Sequence, residues 1–171
     1  MKKSFSISTV LAVVSVVLLG QFAAAQSVAT PSGAIKDSNE RVKRVLDANA
    51  GKKLDALTEG TLRGIISAAT HFSSMSDAVV SVFPPLMTPA QRTQFKSAFE
   101  SLLLLSSVKK MGRYKADRFV YGRQTITAGG NGASVKTIAV YTKKDGRVDR
   151  LALDYSLSRI GGKWMIVNYT M

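Results

Sequence analysis

The sequence RLALDYSLS at residues 150–158 alternates apolar and polar side chains with a period of two. Leu151, Leu153, Tyr155 and Leu157 fall on one face, whereas Asp154 falls on the other face with its polar neighbours. Alternation of this length is typical of a β-strand that has one face buried and one face in solvent. The stretch therefore predicts a strand in a sheet whose apolar face is covered by a second layer.

Three other segments of the second half show the same period. They are predicted as strands over residues 118–127, 134–141 and 164–169. Turn sequences separate the strands at residues 129–132, 145–146 and 161–162, and all three contain glycine. Connections this short join antiparallel neighbours, so the second half predicts a four-stranded antiparallel meander. In the last strand the pattern leaves open whether Trp164 with Ile166 or Met165 with Val167 faces the core.

The first half of the chain has apolar residues at helical spacing. Helices are predicted over residues 35–46, 54–69 and 75–83, and a fourth one from residue 88 onward. The fourth helix has the clearest start, because Thr88, Pro89 and Gln91 form a capping box with proline at the first helical position. Four consecutive leucines at 102–105 predict that its later part is enclosed on most sides. Four helices before an antiparallel sheet predict an α+β domain with the helices packed on one face.

The N-terminus has the pattern of a cleaved secretion signal. Lys2 and Lys3 precede a short apolar run over 10–19, and Ala23, Ala24 and Ala25 supply the small residues of a cleavage site before Gln26. A membrane anchor needs about 20 apolar residues, which this run does not reach. The domain prediction is therefore a signal peptide over 1–25, a flexible lead-in over 26–34 and one α+β domain over 35–171. Export to a bacterial periplasm agrees with the absence of cysteine.

The charge of the chain is strongly positive and unevenly distributed. The whole sequence has 24 basic and 11 acidic side chains, and the part from Ser106 onward has 13 basic and 4 acidic ones. Such a surface attracts anions, which in a bacterial envelope are mainly lipid head groups. The export signal argues against nucleic acid as a partner. A solvated, solubilising surface accounts for part of the charge.

No catalytic or metal-binding constellation is found in the sequence. His71 is the only histidine and cysteine is absent, so a metal site is not expected and His71 is interpreted as structural. Asp154 lies on the face opposite the apolar one, where it is expected to be exposed. The glycines at 129–132 precede a strand instead of a helix, which excludes a phosphate-binding loop. We therefore predict neither an enzyme nor a cofactor.

Several separated motifs together resemble the periplasmic phospholipid-carrier component of the Mla lipid-transport system, the toluene-tolerance family. The resemblance covers about residues 35–171. Its motifs are Arg41-Val42 to Leu46, His71-Phe72 with Met75-Ser76, Leu86 to Arg92 with Phe95, Val135-Lys136-Thr137, Val148 to Leu157, and Gly162 to Ile166. The resemblance implies a nuclear-transport-factor-like cone with an apolar cavity for acyl chains. It also implies a monomeric shuttle for phospholipid between an outer-membrane lipoprotein complex and an inner-membrane ABC transporter complex.

The resemblance also suggests site residues. The lipid-binding candidates are Phe72, Met75, Phe95, Phe99, Leu103, Tyr141, Leu151, Leu153, Tyr155 and Trp164. The candidates for head-group binding or docking are Lys109, Lys110, Arg113 and Lys115. Two departures from the family pattern are Ser73 after Phe72 and the sequence Val82 to Pro85 before the Thr-Pro step. The family continues beyond the last strand, which for this chain predicts a shortened protein or a less completely closed pocket.

Two other functions are compatible with the sequence. An exported enzyme of the same fold predicts a titrating carboxylate or histidine inside the pocket. An interaction module predicts binding to anionic envelope surfaces through the basic sheet without uptake of lipid, and therefore a strong dependence on salt.

Overall fold

The computed structural model of the protein describes residues 30–82, 87–113, 115–143 and 145–171. The helices of these residues come first: α1 (Pro31–Ala48), α2 (Ala56–Ala69), α3 (Phe72–Val80) and α4 (Pro89–Arg113). The strands follow: β1 (Arg118–Ile126), β2 (Gly132–Thr142), β3 (Val148–Ile160) and β4 (Lys163–Thr170). They form one sheet in the order β1-β2-β3-β4, and all neighbours are antiparallel. The predicted α+β class and the predicted meander are confirmed.

The start of α1 corrects the predicted lead-in over 26–34. Thr30 is the N-cap, its side-chain oxygen accepts a hydrogen bond from the Gly33 N–H at 3.0 Å, and Pro31 occupies the first helical position. Proline at this position stabilises a helix start because its missing N–H would be unpaired there in any case. Residues 31–34 are therefore helical. The predicted signal peptide, its cleavage site between Ala25 and Gln26, and the rest of the lead-in lie outside the described residues.

The capping box of α4 is formed as predicted. The Thr88 N–H donates to Gln91 Oε1 at 2.8 Å, and the Gln91 N–H donates to Thr88 Oγ1 at 3.3 Å. The preceding helix α3 ends at Val80. The helix was predicted to continue to Phe83, but Ser81 and Val82 form a turn, so the prediction is wrong for these two residues. Phe83 and the prolines that follow lie outside the described residues.

The leucine run of α4 is less enclosed than the sequence predicts. Leu102 is 64% exposed and Leu105 is also exposed, whereas Leu103 and Leu104 are half-buried. Four consecutive residues point in four directions around a helix, so a helix packed on one side leaves two of them in solvent. The prediction of enclosure on most sides is wrong for this segment.

A β-bulge interrupts the alternation of side chains at the β3–β4 pair. Leu157 is paired with Ile166, but the preceding residue of β3, Ser156, is paired with Asn168, so Val167 has no partner of its own. The bulge places Ile166 and Tyr169 on the same face of the sheet, since their partners Leu157 and Tyr155 share that face. The alternation of side chains with a period of two therefore assigns the residues of β4 after Ile166 to the wrong faces of the sheet.

Two buried clusters hold the layers together. The closed-end core joins the start of α1 to the sheet and consists of Ile35, Ala133, Val135, Leu157 and Trp164. The helical core joins α1, α2 and α4 and consists of Val42, Leu46, Leu62, Ile65 and Val108. Burying large aliphatic side chains contributes about 1.5–3 kcal/mol each, so these clusters dominate the stability of the fold.

A single bridge ties the connection between α2 and α3 to the last strand. Thr70 forms an isolated parallel bridge with Ile166, and the His71 N–H donates to the Ile166 carbonyl at 2.8 Å. The bridge fixes the helical layer over β4, at the edge of the sheet. Among the described residues, none of the helices has both the length and the apolar character needed to cross a membrane.

Candidate functional site: an apolar cavity between the layers

A cavity of about 460 Å³ lies between the helices and the inner face of the sheet. It is next to the closed-end core, and its mouth reaches solvent at the opposite end. Its walls are mostly apolar, with a few hydroxyl, amide and ammonium groups among the lining side chains. Its volume is within the range of about 300–1,000 Å³ that is usual for small-molecule sites.

The sheet wall of the cavity consists of inward-facing side chains from all four strands. They are Phe119 of β1, Ala139 and Tyr141 of β2, Leu151, Leu153 and Tyr155 of β3, and Ile166 and Tyr169 of β4. Consecutive members of one strand are two residues apart because side chains alternate between the faces of a sheet. The exception is β4, where the bulge separates Ile166 from Tyr169 by three residues.

The helical wall is made by three helices. It consists of Ser38, Asn39, Val42, Lys43 and Leu46 of α1, Ile66 and Ala69 of α2 with Thr70, and Ser107, Lys110 and Met111 of α4. These positions recur at intervals of three or four residues, as expected for one face of a helix. Val42 and Leu46 belong to the helical core as well, so this wall of the cavity is rigidly supported.

Two tyrosines line the part of the cavity nearest the closed-end core. The rings of Tyr155 and Tyr169 have centroids 6.4 Å apart. Burial of the Tyr155 phenol raises its pKa to about 12, because a phenolate is poorly solvated there. Tyr155 is therefore neutral at physiological pH and contributes a mainly apolar surface to the cavity.

The mouth combines exposed apolar side chains with positive charge. Leu151 and Met171 line the cavity and are 36% and 63% exposed. Lys110 also lines it and is exposed, and Lys43 lines it from α1. An amphipathic ligand with its chain inside and its polar end in water fits this arrangement.

An acidic residue of α1 organises two of the lysines near the mouth. Asp47 Oδ1 lies 2.6 Å from Lys115 Nζ, and Asp47 Oδ2 lies 2.9 Å from Lys43 Nζ. Hydrogen bonds from Lys115 and then from Lys43 hold the pKa of the Asp47 carboxyl below its ordinary value. Asp47 is therefore ionised at neutral pH and keeps both ammonium groups on this side of the protein.

Five of the residues predicted from the sequence meet at the cavity. They are Tyr141, Leu151, Leu153, Tyr155 and Lys110. Lys115 is near the mouth through its contact with Asp47 but does not line the cavity. The side chain of Arg113 lies outside the described part of the chain, and Lys109 is exposed beside Lys110 without lining the cavity.

The remaining lipid-binding candidates do not line this cavity. Phe72 and Met75 are buried in α3, and Trp164 belongs to the closed-end core. Phe95 and Phe99 stack on each other along α4, with ring centroids 5.7 Å apart, and Leu103 is half-buried on the same helix. Their apolar character marks packing positions, which sequence patterns do not distinguish from cavity walls.

Several cavity residues were not predicted from the sequence. Val42 and Leu46 were interpreted only as apolar positions of the first helix, and Ile66 was not singled out. Lys43 was not singled out either, because nothing in the sequence distinguishes it from the other lysines. Tyr169 was missed because the bulge shifts the alternation of β4. A tyrosine next to a bulge carries no sequence signal, but the spacing of Asn39, Val42, Lys43 and Leu46 on one helical face is visible in the sequence.

The geometry gives no support to catalysis by His71 or Asp154. His71 is the N-cap of α3, where its Nδ1 accepts the Ser74 N–H at 3.2 Å. Asp154 is exposed on the outer face of the sheet, with its Oδ2 3.7 Å from Lys136 Nζ. Neither residue lines the cavity. No group of acidic or histidine side chains among the described residues is arranged to hold a metal ion.

Comparisons with known proteins agree with this architecture. The phospholipid-binding protein from Ralstonia solanacearum, solved in complex with a phospholipid, superposes with a TM-score of 0.65 at 17% identity, covering 83% of this chain and 78% of that chain. An iota-carbonic anhydrase from a cyanobacterium, in complex with bicarbonate, covers 99% of this chain and 96% of that chain at 15% identity, but its TM-score of 0.43 is too low to support an argument. No curated protein matches. A sequence model described as MlaC protein matches residues 36–171, and the chain therefore belongs to the MlaC family.

Proposed function

We propose that this protein is a periplasmic carrier that binds phospholipid acyl chains in the cavity between its helices and its sheet. The observation that carries the proposal is the cavity itself, with apolar walls and a mouth beside Lys110. Burying an acyl chain contributes about 0.8 kcal/mol per methylene group, so an apolar cavity is the feature that a soluble lipid carrier requires. Membership in the MlaC family and the phospholipid bound to the Ralstonia protein support the same conclusion.

The carrier is proposed to move lipid between an outer-membrane lipoprotein complex and an inner-membrane ABC transporter complex. Export would be directed by the signal peptide, which would be cleaved between Ala25 and Gln26. The polar end of the lipid would stay in water at the mouth, so a partner complex would receive the lipid from that side. Lys109, Arg113 and Lys115 follow one another closely in sequence at the end of α4 and just beyond it, and they are the proposed docking contacts.

The first experiment is to identify what the protein carries. The protein is purified under native conditions from a bacterial envelope, extracted with organic solvent, and the extract is identified by mass spectrometry. The expected result is a phospholipid at close to one molecule per chain. A well-folded protein with no lipid in the extract would overturn the proposed function.

A pair of variants on β3 tests whether the lipid occupies this cavity. Leu153→Glu places a carboxylate on the cavity wall, where it is poorly solvated, and we expect lipid occupancy to fall more than tenfold. The matched control is Ala152→Glu, which places the same charge on the exposed outer face of the same strand. The control should keep its lipid. Equal occupancy in the two variants would show that the lipid binds elsewhere.

The outer face of the sheet supports a second function, binding to anionic surfaces. Val120 and Ile138 are paired on this face and are both exposed. Arg118 and Arg150 lie on the same face, because both are paired with Val140, one from each neighbouring strand. Flotation with vesicles that contain phosphatidylglycerol would test this function. Binding that is abolished by moderate salt, together with an empty cavity, would favour it over the carrier.

A further inference from the structure

The outer face of the sheet, which is turned away from the cavity, has an open apolar row. Val120 of β1, Ile138 of β2 and Ala152 of β3 lie side by side through cross-strand pairing, and all three are exposed. The helices α1, α2 and α4 lie on the other side of the sheet, where they line the cavity. The apolar row is therefore open to solvent and has no part in the cavity.

Two arginines flank the neighbouring row of the same face. Arg118 and Arg150 are both paired with Val140, one from each side. Neighbouring strands are about 4.8 Å apart, so the Cα atoms of the two arginines are about 10 Å apart. Val140 is only 2% exposed on this open face, because the aliphatic stems of long charged side chains cover apolar neighbours. Stems that pack beside Val140 restrict the positions of both guanidinium groups.

The acidic side chains near the two arginines have other partners. They are Asp117, Asp149 and Asp154, which contact Thr142, Lys143 and Lys136 respectively. Among the residues that the structure describes, neither Arg118 nor Arg150 forms an ion pair. Two guanidinium groups without acidic partners are complementary to a surface that presents two carboxylates.

The composition of the outer face favours a protein over a membrane as the anionic partner. The described residues of this face include no aromatic side chain, whereas Trp and Tyr are the residues that anchor proteins at the surface of a bilayer. Asp154, whose charge a negatively charged membrane would repel, lies on the same face. Arginines beside an apolar centre are instead typical of protein interfaces.

The spacing on the outer face fits an α-helix that crosses the strands. Helical residues seven positions apart are separated by about 10.5 Å, which matches the separation of Arg118 and Arg150. The apolar row is two residues further along the strands, about 7 Å from the arginines. Acidic residues at i and i+7 can therefore reach the arginines while apolar residues at i+3 and i+4 contact Ile138. The row is small compared with the roughly 800 Å² per partner of a stable complex, so the contact is transient.

We propose that the outer face of the sheet is a docking surface for an acidic amphipathic helix of another protein. Arg118 and Arg150 bind two carboxylates of that helix, and the apolar row contacts its aliphatic side chains. The surface is separated from the cavity by the thickness of the sheet, so docking leaves the mouth accessible. The inference goes beyond the proposed carrier function and does not depend on it.

The test uses a fluorescent peptide that is stapled as a helix and has glutamates at i and i+7 with leucines at i+3 and i+4. One control peptide has glutamine in place of both glutamates, and a second has its glutamates four residues apart. Binding to the purified protein is measured by fluorescence anisotropy. We expect the first peptide to bind most tightly, and its affinity to fall between about 50 mM and about 300 mM salt, because the charges are exposed.

Three arginine variants assign the charged contacts. Arg118→Gln and Arg150→Gln should each weaken binding about two- to fivefold, and the double variant about tenfold, as expected for exposed charge pairs. The control is Arg44→Gln, which removes the same charge from an exposed position of α1 and should leave the affinity unchanged. The lipid content of all variants should equal that of the wild type, since none of these arginines lines the cavity.

Two isoleucine variants test the apolar row in the same way. Ile138→Thr keeps a β-branched side chain but removes apolar surface from the centre of the row, and it should weaken binding. Ile126→Thr makes the same change at an exposed position of β1 whose partner, Ala133, belongs to the inner face. This control should bind the peptide like the wild type.

Each contrary result overturns a stated part of the inference. Absence of binding by the acidic peptide would refute the docking surface. Equal affinities for the three peptides, or an equal loss in Arg44→Gln, would mean that the peptide responds only to the overall charge of the protein. Phosphatidylglycerol vesicles that displace the peptide would assign the surface to a membrane. A protein purified without lipid would refute the carrier function, but it would leave the peptide measurements as they are.

Discussion

The two ends of the sheet's inner face are built from the same kind of residues but have different environments. On β3, Leu157 and Leu151 lie on one face, six residues apart, and yet Leu157 is 2% exposed whereas Leu151 is 36% exposed. Leu157 packs in the closed-end core with Ile35 and Trp164, whereas Leu151 lines the mouth of the cavity. The alternation of side chains along a strand thus predicts which face of the sheet is covered by a second layer. It does not predict whether that layer packs closely against the sheet or leaves a cavity.

The difference between the ends follows from the size of the facing side chains. At the closed end, Ile35, Leu157 and Trp164 fill the space between α1 and the sheet. Around the cavity, many of the facing side chains are small. They are Ser38, Ala69, Ser107, Ala116 and Ala139. Small residues on facing elements leave a void that longer side chains would fill, so the cavity is encoded by residues without a chemical motif of their own.

The largest expected effect comes from truncating the same residue type at the two ends. Leu157→Ala should lower the free energy of unfolding by about 2–5 kcal/mol, because it opens a hole in a close-packed core. Leu151→Ala should cost less than about 1 kcal/mol, since that side chain already borders open space. Urea denaturation of both variants measures the difference. Similar losses at the two positions would mean that the ends are packed alike.

Enlarging a small residue on β2 provides the opposite comparison. Ala133 lies in the closed-end core and Ala139 lines the cavity, and both are buried on the same face. Ala133→Leu should destabilise the protein by about 1–3 kcal/mol through overpacking. Ala139→Leu has room in the cavity, so its stability should change little.

Ala139→Leu should instead reduce lipid uptake, because the added methyl groups occupy the space of the ligand. Thermal denaturation should therefore show a loss of stability mainly for Ala133→Leu, and lipid extraction should show a loss of bound lipid mainly for Ala139→Leu. If Ala139→Leu destabilises the delipidated protein as strongly as Ala133→Leu, the cavity is not a permanent feature of the empty fold.

The smallest expected effect concerns the buried phenol between the two regions. The pKa of Tyr155 is raised to about 12 from an ordinary value of 10.0. A raised pKa means that the stabilisation is complete below pH 10 and is lost as the pH rises toward 12, because the unfolded chain ionises first. Between pH 8 and pH 11, the wild type should lose about 1.4 kcal/mol more than Tyr155→Phe.

Urea denaturation at the two pH values tests this prediction, since deprotonation of the lysines affects both proteins alike. A parallel loss of stability in wild type and Tyr155→Phe would mean that the phenol of Tyr155 is well solvated. In that case the inner part of the cavity contains more water than the lining residues indicate.

The order of elements and the covered face could be predicted from local signals. The capping box of Thr88 and Gln91 predicts the start of α4. The period-two alternation of side chains in β3 places Leu153 and Tyr155 on the inner face of the sheet. The helical side of the site could not be predicted equally well, because Val42 and Leu46 have the same pattern whether they meet a core or a void. Tyr169 was hidden by the bulge, which no residue type marks. Phe95 and Phe99 were assigned to the pocket through the family resemblance, but they stack on each other along α4 and do not line the cavity.

The bridge between residues 70–71 and Ile166 has a consequence for the order in which the molecule folds. It joins positions that are far apart in the chain, and Ile166 is also part of the cavity wall. Contacts between distant positions form slowly, because a long loop must close before they contribute stability. We therefore expect helices and hairpins to form early and the cavity to form in the last, slowest step. Until that step, the residues that line the cavity are exposed together. A lipid or a chaperone that binds them at this stage competes with the last strand of the protein for the same apolar surface.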